Sequence, residues 1–442
     1  MEQAPKKICD LLLKHSRYLT EEMKIRENVS IAIKDGKIME IVQGDSGYVG
    51  GEVIDGSHLL WMPGLTDGHL HTTQQLLRGK LLDERPVIWK RINVPFESQL
   101  SREDVKFSAL LASLEMILGG TTSFLDAGGI HMEEAAGVYA KAGLRGGVSS
   151  MTGDSEGLPE NLRIGPEEAV RRFEELQQAV CSLGEGRLHA CLSLTSPMSC
   201  SPELMDTAFS ASLSGKIPLV MHMNEYSQEV FNFQEKYECR PVEFLERQRL
   251  LSEYVVLAHC IFLSGNEIQS LAEHHVKVVH CPFSNCGKGV PDTPRLLEQG
   301  IDVSFGTDGT AHGGLDLFSE MKIFRSVMNA VFGAKTCDAG IMTAEEILSI
   351  AVRGGAKAMM APNLGAIQEG FKADLIAVNL DQPHLFPTHN LVHTLVESVR
   401  GSDVWHMVVD GRLIMKDREI LTLDKERILF DLNRHLSGKI AG

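Results

Sequence analysis

Between about residue 60 and residue 310 the chain alternates short apolar runs with amphipathic stretches, and this alternation limits the possible folds more than any other feature. The apolar runs fall at 60–71, 121–127, 144–151, 188–196, 217–223, 254–260, 276–281 and 302–308, each ending in small or polar residues. Helical periodicity separates them, for example over 102–118 and 166–183. Strands that alternate with helices predict a parallel sheet. About eight such units over about 300 residues match an α/β fold of the (β/α)8 TIM-barrel type. A doubly wound open sheet would need a nucleotide-type glycine turn after its first strand, and Gly64-Leu65-Thr66-Asp67-Gly68 has the wrong spacing.

The two ends read differently. Residues 29–33 and 38–42 alternate as strands around the turn Lys34-Asp35-Gly36-Lys37, and 373–378 and 404–409 do the same before the turn Asp410-Gly411. Neither end can bury a core alone. The expectation is a small β-sandwich domain built from both, with residues 1–61 and 371–442 flanking a barrel of residues 62–370 and a helix closing the C-terminus.

In a barrel of this kind, reactive groups sit at the carboxyl ends of the strands. His69 and His71 close the first run, two residues apart and so on one face of an extended strand. His222 closes the fifth, His259 the sixth and Asp308 the eighth. Barrel closure brings the first strand beside the eighth. Neutral imidazoles with one carboxylate suit a single divalent metal, Zn2+ first and Fe2+ as the alternative. Such an ion lowers the pKa of a bound water to about 7. His69, His71, His222 and Asp308 are assigned as its ligands, with His259 holding the attacking water or the developing oxyanion by hydrogen bond. Spacing leaves open which of His222 and His259 lies nearer the metal. Glu225, three residues beyond His222, can shuttle a proton over the same site.

Charge and composition narrow the partners. Lys and Arg number 43 against 59 Asp and Glu, a net charge of −16, which disfavours nucleic acid and anionic membrane. No apolar run is long enough to span a bilayer, and residues 1–16 lack the apolar core of a signal peptide. Nine scattered cysteines suit a reducing cytoplasm, and Cys281 and Cys286, without a partner pair, read as buried small residues. A small, neutral or cationic ligand is the fitting partner.

Pro63-Gly64-Leu65 with His69-x-His71, His222-x-x-Glu225, Ala258-His259-Cys260, His280-Cys281-Pro282-x-Ser284-Asn285 and Gly306-Thr307-Asp308-Gly309 together resemble the amidohydrolase superfamily. More narrowly they resemble its branch of cytosine, adenosine and guanine deaminases and triazine chlorohydrolases, including the S-adenosylhomocysteine and methylthioadenosine deaminases. The resemblance spans nearly the whole chain and implies one metal, a homo-oligomer, and hydrolytic removal of an amino group or halide from a ring carbon. Residues 188–197 contain no lysine that could bridge a second metal. It also implies that Asp308 takes a proton from the water, that Glu225 protonates a ring nitrogen, and that the amine leaves as ammonia. Non-catalytic relatives lose the ligands; here all are present.

Substrate signals diverge. Glu97 falls where S-adenosylhomocysteine and methylthioadenosine deaminases place a ribose-contacting glutamate, which favours a purine nucleoside. Gln74 instead matches guanine-type deaminases and triazine hydrolases, where an amide reads a ring carbonyl or nitrogen. Thr195 replaces a histidine expected to contact substrate, and Ser150 replaces an arginine expected to grip a carboxylate, leaving Arg91, Arg145 and Arg163 as candidate cations. Trp89 and Phe96 could wall a ring pocket, and His312 follows Asp308 closely enough to reach substrate. The expected activity is deamination of an amino-substituted purine, purine nucleoside or related N-heterocycle, with chlorohydrolase or cyclic amidohydrolase action on a triazine-like or pterin-like ring as the alternative.

Overall fold

The computed structural model describes residues 7–440 except 82, 86, 184, 311 and 312, together with the side chains up to 437; His312 lies outside the described residues. Eight parallel strands run in sequence order around the barrel: Leu65–Leu70, Thr121–Asp126, Arg145–Ser149, Leu188–Leu194, Leu219–Met223, Val255–His259, Lys277–His280 and Val303–Phe305. Closure joins the last to the first. The Asp308 amide donates to the His69 carbonyl at 2.9 Å, and buried Asp67 accepts from the Thr307 amide at 3.1 Å and its hydroxyl at 2.5 Å. Inside, Leu125, Cys191, Val220, Val256, Val279 and Cys281 interdigitate, so the barrel is a packed core. Cys281 is buried as expected, whereas Cys286, the residue that ends the short, mostly buried helix Pro282–Asn285, is exposed.

The outer helices bury one stripe each. Helix Arg102–Gly119 begins in a capping box in which Ser101 and Asp104 satisfy each other's amides, and its Val105, Ala109, Ala112, Met116 and Ile117 face the core. The last helix, Lys425–Ile440, packs on it, with His435 Nε2 2.8 Å from Asp104 Oδ1. Among the described residues no helix is long and apolar enough to cross a membrane.

The two chain ends do pair. Strand Leu59–Pro63 lies antiparallel to Leu375–Asn379, and together with Lys7–Leu19, Ile25–Lys34, Lys37–Gln43, Tyr48–Asp55, Val404–Val409, Arg412–Lys416 and Glu419–Ile420 it forms one nine-stranded mixed sheet. This sheet curls over a shared core of Leu13, Ile31, Trp61, Leu375 and Val408, far enough that the turn at Gly36 touches the turn at Gly411. The sequence reads 60–71 as one strand, but the structure splits it at Gly64. The upstream half belongs to the mixed sheet and the downstream half opens the barrel. A Cβ at Gly64 would lie 2.0 Å from the Thr122 hydroxyl, so only glycine allows the crossing.

Candidate active site

All five groups singled out by the strand-end pattern converge at the carboxyl end of the barrel. His71 Nε2 lies 3.1 Å from His222 Nε2 and 3.2 Å from Asp308 Oδ1, and His69 Nε2 lies 3.7 Å from the same oxygen. His259 Nε2 stands slightly farther out, 3.9 Å from Asp308 Oδ2 and 3.8 Å from Glu225 Oε1. The donors that all fall within 4.8 Å of one another come from His69, His222, His259 and Asp308, a set that holds His259 where the sequence placed His71. Both His259 and Asp308 adopt left-handed backbone, with φ of 70° and 60°. Such strain in residues with a Cβ concentrates at functional sites.

The donors fit a metal. Among the described residues, His69 Nε2, His71 Nδ1 and His259 Nε2 are buried without a hydrogen-bond partner, a costly arrangement unless something else occupies them. His222 Nδ1 donates to the Thr195 carbonyl at 2.6 Å, which leaves its Nε2 lone pair facing the cluster. A tetrahedral ion with bonds of about 2.0–2.1 Å spaces its donors by roughly 3.3 Å. The contacts of His71 and Asp308 lie near that spacing and those of His259 exceed it. Burial and the neighbouring imidazoles lower His222 to about 4 and hold His69 well below the usual range. Asp308 stays ionised despite its burial, because His71, His259 and Lys288 hold its pKa well down. Neutral His69 and His222 beside an ionised Asp308 are protonation states that suit metal binding, whereas His71, despite its burial, is raised by the adjacent Asp308.

The second carboxylate, Glu225, follows the fifth strand and is 6% exposed. Burial would raise its pKa, but Lys288, His259 and His222 together bring it below the usual range. Lys288 is a residue the sequence reading missed. Its Nζ lies 2.6 Å from Glu225 Oε1, whereas the anticipated arginines lie elsewhere. Arg145 pairs with Asp374 and Asp410, Arg91 with Glu84, and Arg163 with backbone carbonyls of Leu158 and Glu156. The available signal was position: Lys288 follows the His280 to Asn285 motif by three residues.

His71, His222, Glu225, Lys288 and Asp308 line one pocket. Its opposite wall comes from the insertion carrying Trp89–Asn93 and Val94–Glu97. Glu97, 2% exposed, accepts from the Thr73 hydroxyl at 2.6 Å and from Gln74 Nε2 at 3.2 Å, and burial raises its pKa. Asn93 Nδ2 in turn donates to Gln74 Oε1 at 3.2 Å, fixing which way that amide faces. A Cβ at Gly309 would sit 1.8 Å from Gln74 Oε1, so the loop after the eighth strand presses directly on this amide. Thr195 lines the pocket, but its hydroxyl donates to the Thr152 carbonyl at 3.0 Å, so its clearest contribution is the carbonyl that orients His222. Trp89 lines the pocket, whereas Phe96 packs against the core instead.

The amidohydrolase family model matches residues 60–414. A 5-methylthioadenosine/S-adenosylhomocysteine deaminase of Dictyoglomus turgidum is 32% identical over 420 residues, spanning 94% of this chain and 95% of that protein. A 5'-deoxyadenosine deaminase of Methanosphaera stadtmanae is 30% identical over 429 residues, spanning 95% and 97%. In fold the chain resembles the zinc-bound crystal structure of an adenosine deaminase from Xanthomonas campestris, with a TM-score of 0.89 over 97% of this chain and 98% of that one at 24% identity. Sequence similarity along almost the full length, on a barrel whose strand ends gather these imidazoles and carboxylates, leads to one conclusion: the chain belongs to the amidohydrolase family.

Proposed function

We propose that this protein is a metal-dependent aminohydrolase that removes the amino group of a purine or purine nucleoside by hydrolysis and releases ammonia. The observation that carries this reading is the pair of buried carboxylates, Asp308 and Glu225, set on either side of His259 beside a cluster of imidazoles with unpartnered nitrogens. His69, His71, His222 and Asp308 would hold the ion, supported by the close contacts of His71 and Asp308. When bound, a divalent metal supplies an acidified water and charge stabilisation at neutral pH.

The chain's own residues do the rest. His259 donates Nδ1–H to Asn285 Oδ1 at 2.9 Å, which leaves its Nε2 lone pair to hold the attacking water. Asp308 accepts one proton of that water as it adds to the ring carbon bearing the amine, and passes it to the amine nitrogen as the carbon–nitrogen bond breaks and ammonia leaves. Glu225, ionised beside Lys288, takes up the other proton of the water and delivers it to the adjacent ring nitrogen, so the ring carbon becomes electrophilic when attacked. Gln74 and Glu97 form one hydrogen-bonded wall that reads the heterocycle and, through Glu97, a ribose hydroxyl. Thr195 acts on substrate through the orientation it gives His222.

The names of the two relatives, both deaminases of adenine nucleosides, support the purine nucleoside class. An ammonia-release screen across adenine nucleosides, guanine derivatives, pterins and aminotriazines tests the reading. Release from adenine nucleosides is the expected result; turnover confined to chloride-bearing or cyclic amide substrates would overturn it. We assign Zn2+ as the ion, with Fe2+ as the alternative that elemental analysis of the purified protein would reveal. Cytoplasmic residence and a homo-oligomeric state complete the proposal, and fractionation and light scattering test them.

A further inference from the structure

We infer that Lys288 is a positioning residue that locks the proton-shuttling carboxylate of Glu225 against the catalytic cluster and ties it to Asp308. The inference rests on the proposed role of Glu225. Lys288 is the one lysine or arginine among the described residues lining the pocket, and its side chain is 6% exposed. Its ammonium makes two short contacts at once, 2.6 Å to Glu225 Oε1 and 2.8 Å to Ser284 Oγ. Ser284 donates onward to Asp308 Oδ2 at 2.5 Å, and Lys288 Nζ itself lies 3.8 Å from that oxygen. A continuous chain of donors therefore runs from one carboxylate to the other: Glu225, Lys288, Ser284, Asp308.

The geometry explains why such a clamp is needed. Glu225 sits on a loop, and its backbone amide is held by Glu229 Oε2 at 3.1 Å. Its carboxylate, in contrast, has three side-chain torsions to settle and only one close partner. A charge-assisted bond to one oxygen fixes the group and leaves the second oxygen free for the substrate. An ammonium suits the task because its three donors radiate from one atom, so it can serve a carboxylate and a hydroxyl in different directions. Lys288 is itself held, since its backbone amide donates to the Asn285 carbonyl at 2.8 Å and its Nζ stands 5.6 Å from the centre of the Tyr226 ring. Asn285 also carries the carbonyl that orients His259, so one short segment after the seventh strand positions three groups of the site.

Positioning predicts a particular kinetic signature. A carboxylate free to swing still lets substrate bind, but it meets the ring nitrogen in the right place less often. The loss should then fall on kcat and not on KM. Direct gripping of an anionic substrate group by Lys288 would show the reverse.

The test uses the full-length, metal-loaded enzyme with an adenine nucleoside and three variants: Lys288→Met, Glu225→Gln and the two combined. Lys288→Met should lower kcat by about 10²-fold, leave KM nearly unchanged, and keep metal content close to the parent. The combined variant should be no worse than Glu225→Gln alone, because a positioner has nothing left to position. The combined variant also removes both charges, so a folding defect in Lys288→Met from the unpaired carboxylate can be told apart from a catalytic one. Full kcat in Lys288→Met, additive losses in the combined variant, or a rise in KM matching the fall in kcat/KM would each overturn the inference. Full activity in Glu225→Gln would instead overturn the shuttle role itself, whatever Lys288→Met does.

Discussion

Two buried ionic clusters lie at opposite ends of the barrel, and they obey different rules. At the amino end, Arg145 opens the third strand and clasps Asp374 with two bonds, Nε to Oδ2 at 2.6 Å and the guanidinium to Oδ1 at 3.1 Å, while reaching Asp410 at 3.0 Å. Asp410 also receives Lys372, and its amide donates to Asp374. This cluster is nearly saturated within the protein and joins the barrel to the mixed sheet. At the carboxyl end, by contrast, three imidazoles keep buried nitrogens with no partner among the described residues. A saturated cluster holds the fold together, whereas one left open within an otherwise well-packed interior is reserved for something the fold does not contain.

Substitutions at each end should therefore fail in different ways. The largest effect is expected for Asp308→Asn, which should cut kcat/KM by at least about 10³-fold with little change in the unfolding midpoint of the metal-free protein. Calorimetry with and without chelator should show that the metal stabilises the parent and far less the variant. Arg145→Met should do the opposite, costing about 3–5 kcal/mol in urea unfolding because two carboxylates lose their buried partner, with kcat per folded molecule preserved. A drop in kcat there would erase the distinction between the two ends.

A pH experiment sharpens the same comparison between them. Glu229 is 8% exposed, and burial together with the adjacent Glu225 pushes its carboxyl up from 4.5 to about 8, although the backbone amides of Asn224, Glu225 and Tyr226 oppose the shift. Because the folded value is the higher one, its contribution to stability is complete below about pH 4.5 and is lost as pH rises through about 8. Glu229→Gln should flatten that decline by a few kcal/mol across the range, measured by urea titrations at several pH values; an unchanged slope would mean that Glu229 is ionised when folded. The smallest of these effects is expected at Asn285→Ala, which removes the acceptor of His259 Nδ1 and should cost about 10–100-fold in kcat/KM with metal content retained.

Much of this architecture could be read from periodicity, because strand and helix patterns are local and the barrel imposes where strand ends must go. His69, His71, His222, His259 and Asp308 were legible for that reason. What escaped the sequence depended on long-range geometry or on backbone groups. Lys288 looks like any loop lysine until the seventh strand sets it against Glu225, 63 residues earlier in the chain. The orienting carbonyl of Thr195 belongs to the backbone, which no side-chain pattern announces. The split at Gly64 was hidden because both halves of the segment are fully buried, and a continuous apolar run carries no mark of where one sheet ends and another begins.

The pressure of Gly309 on the Gln74 amide has a consequence for how this pocket can diversify. With glutamine at 74, a methyl added at 309 would have to displace the Gln74 amide from its partners, so the two positions form a single unit of variation although 235 residues separate them. A shorter residue at 74 would release the constraint and open 309 to alanine. Libraries that aim to shift the range of heterocycles accepted should therefore randomise 74 and 309 together, because scanning either alone would miss the combinations that fit.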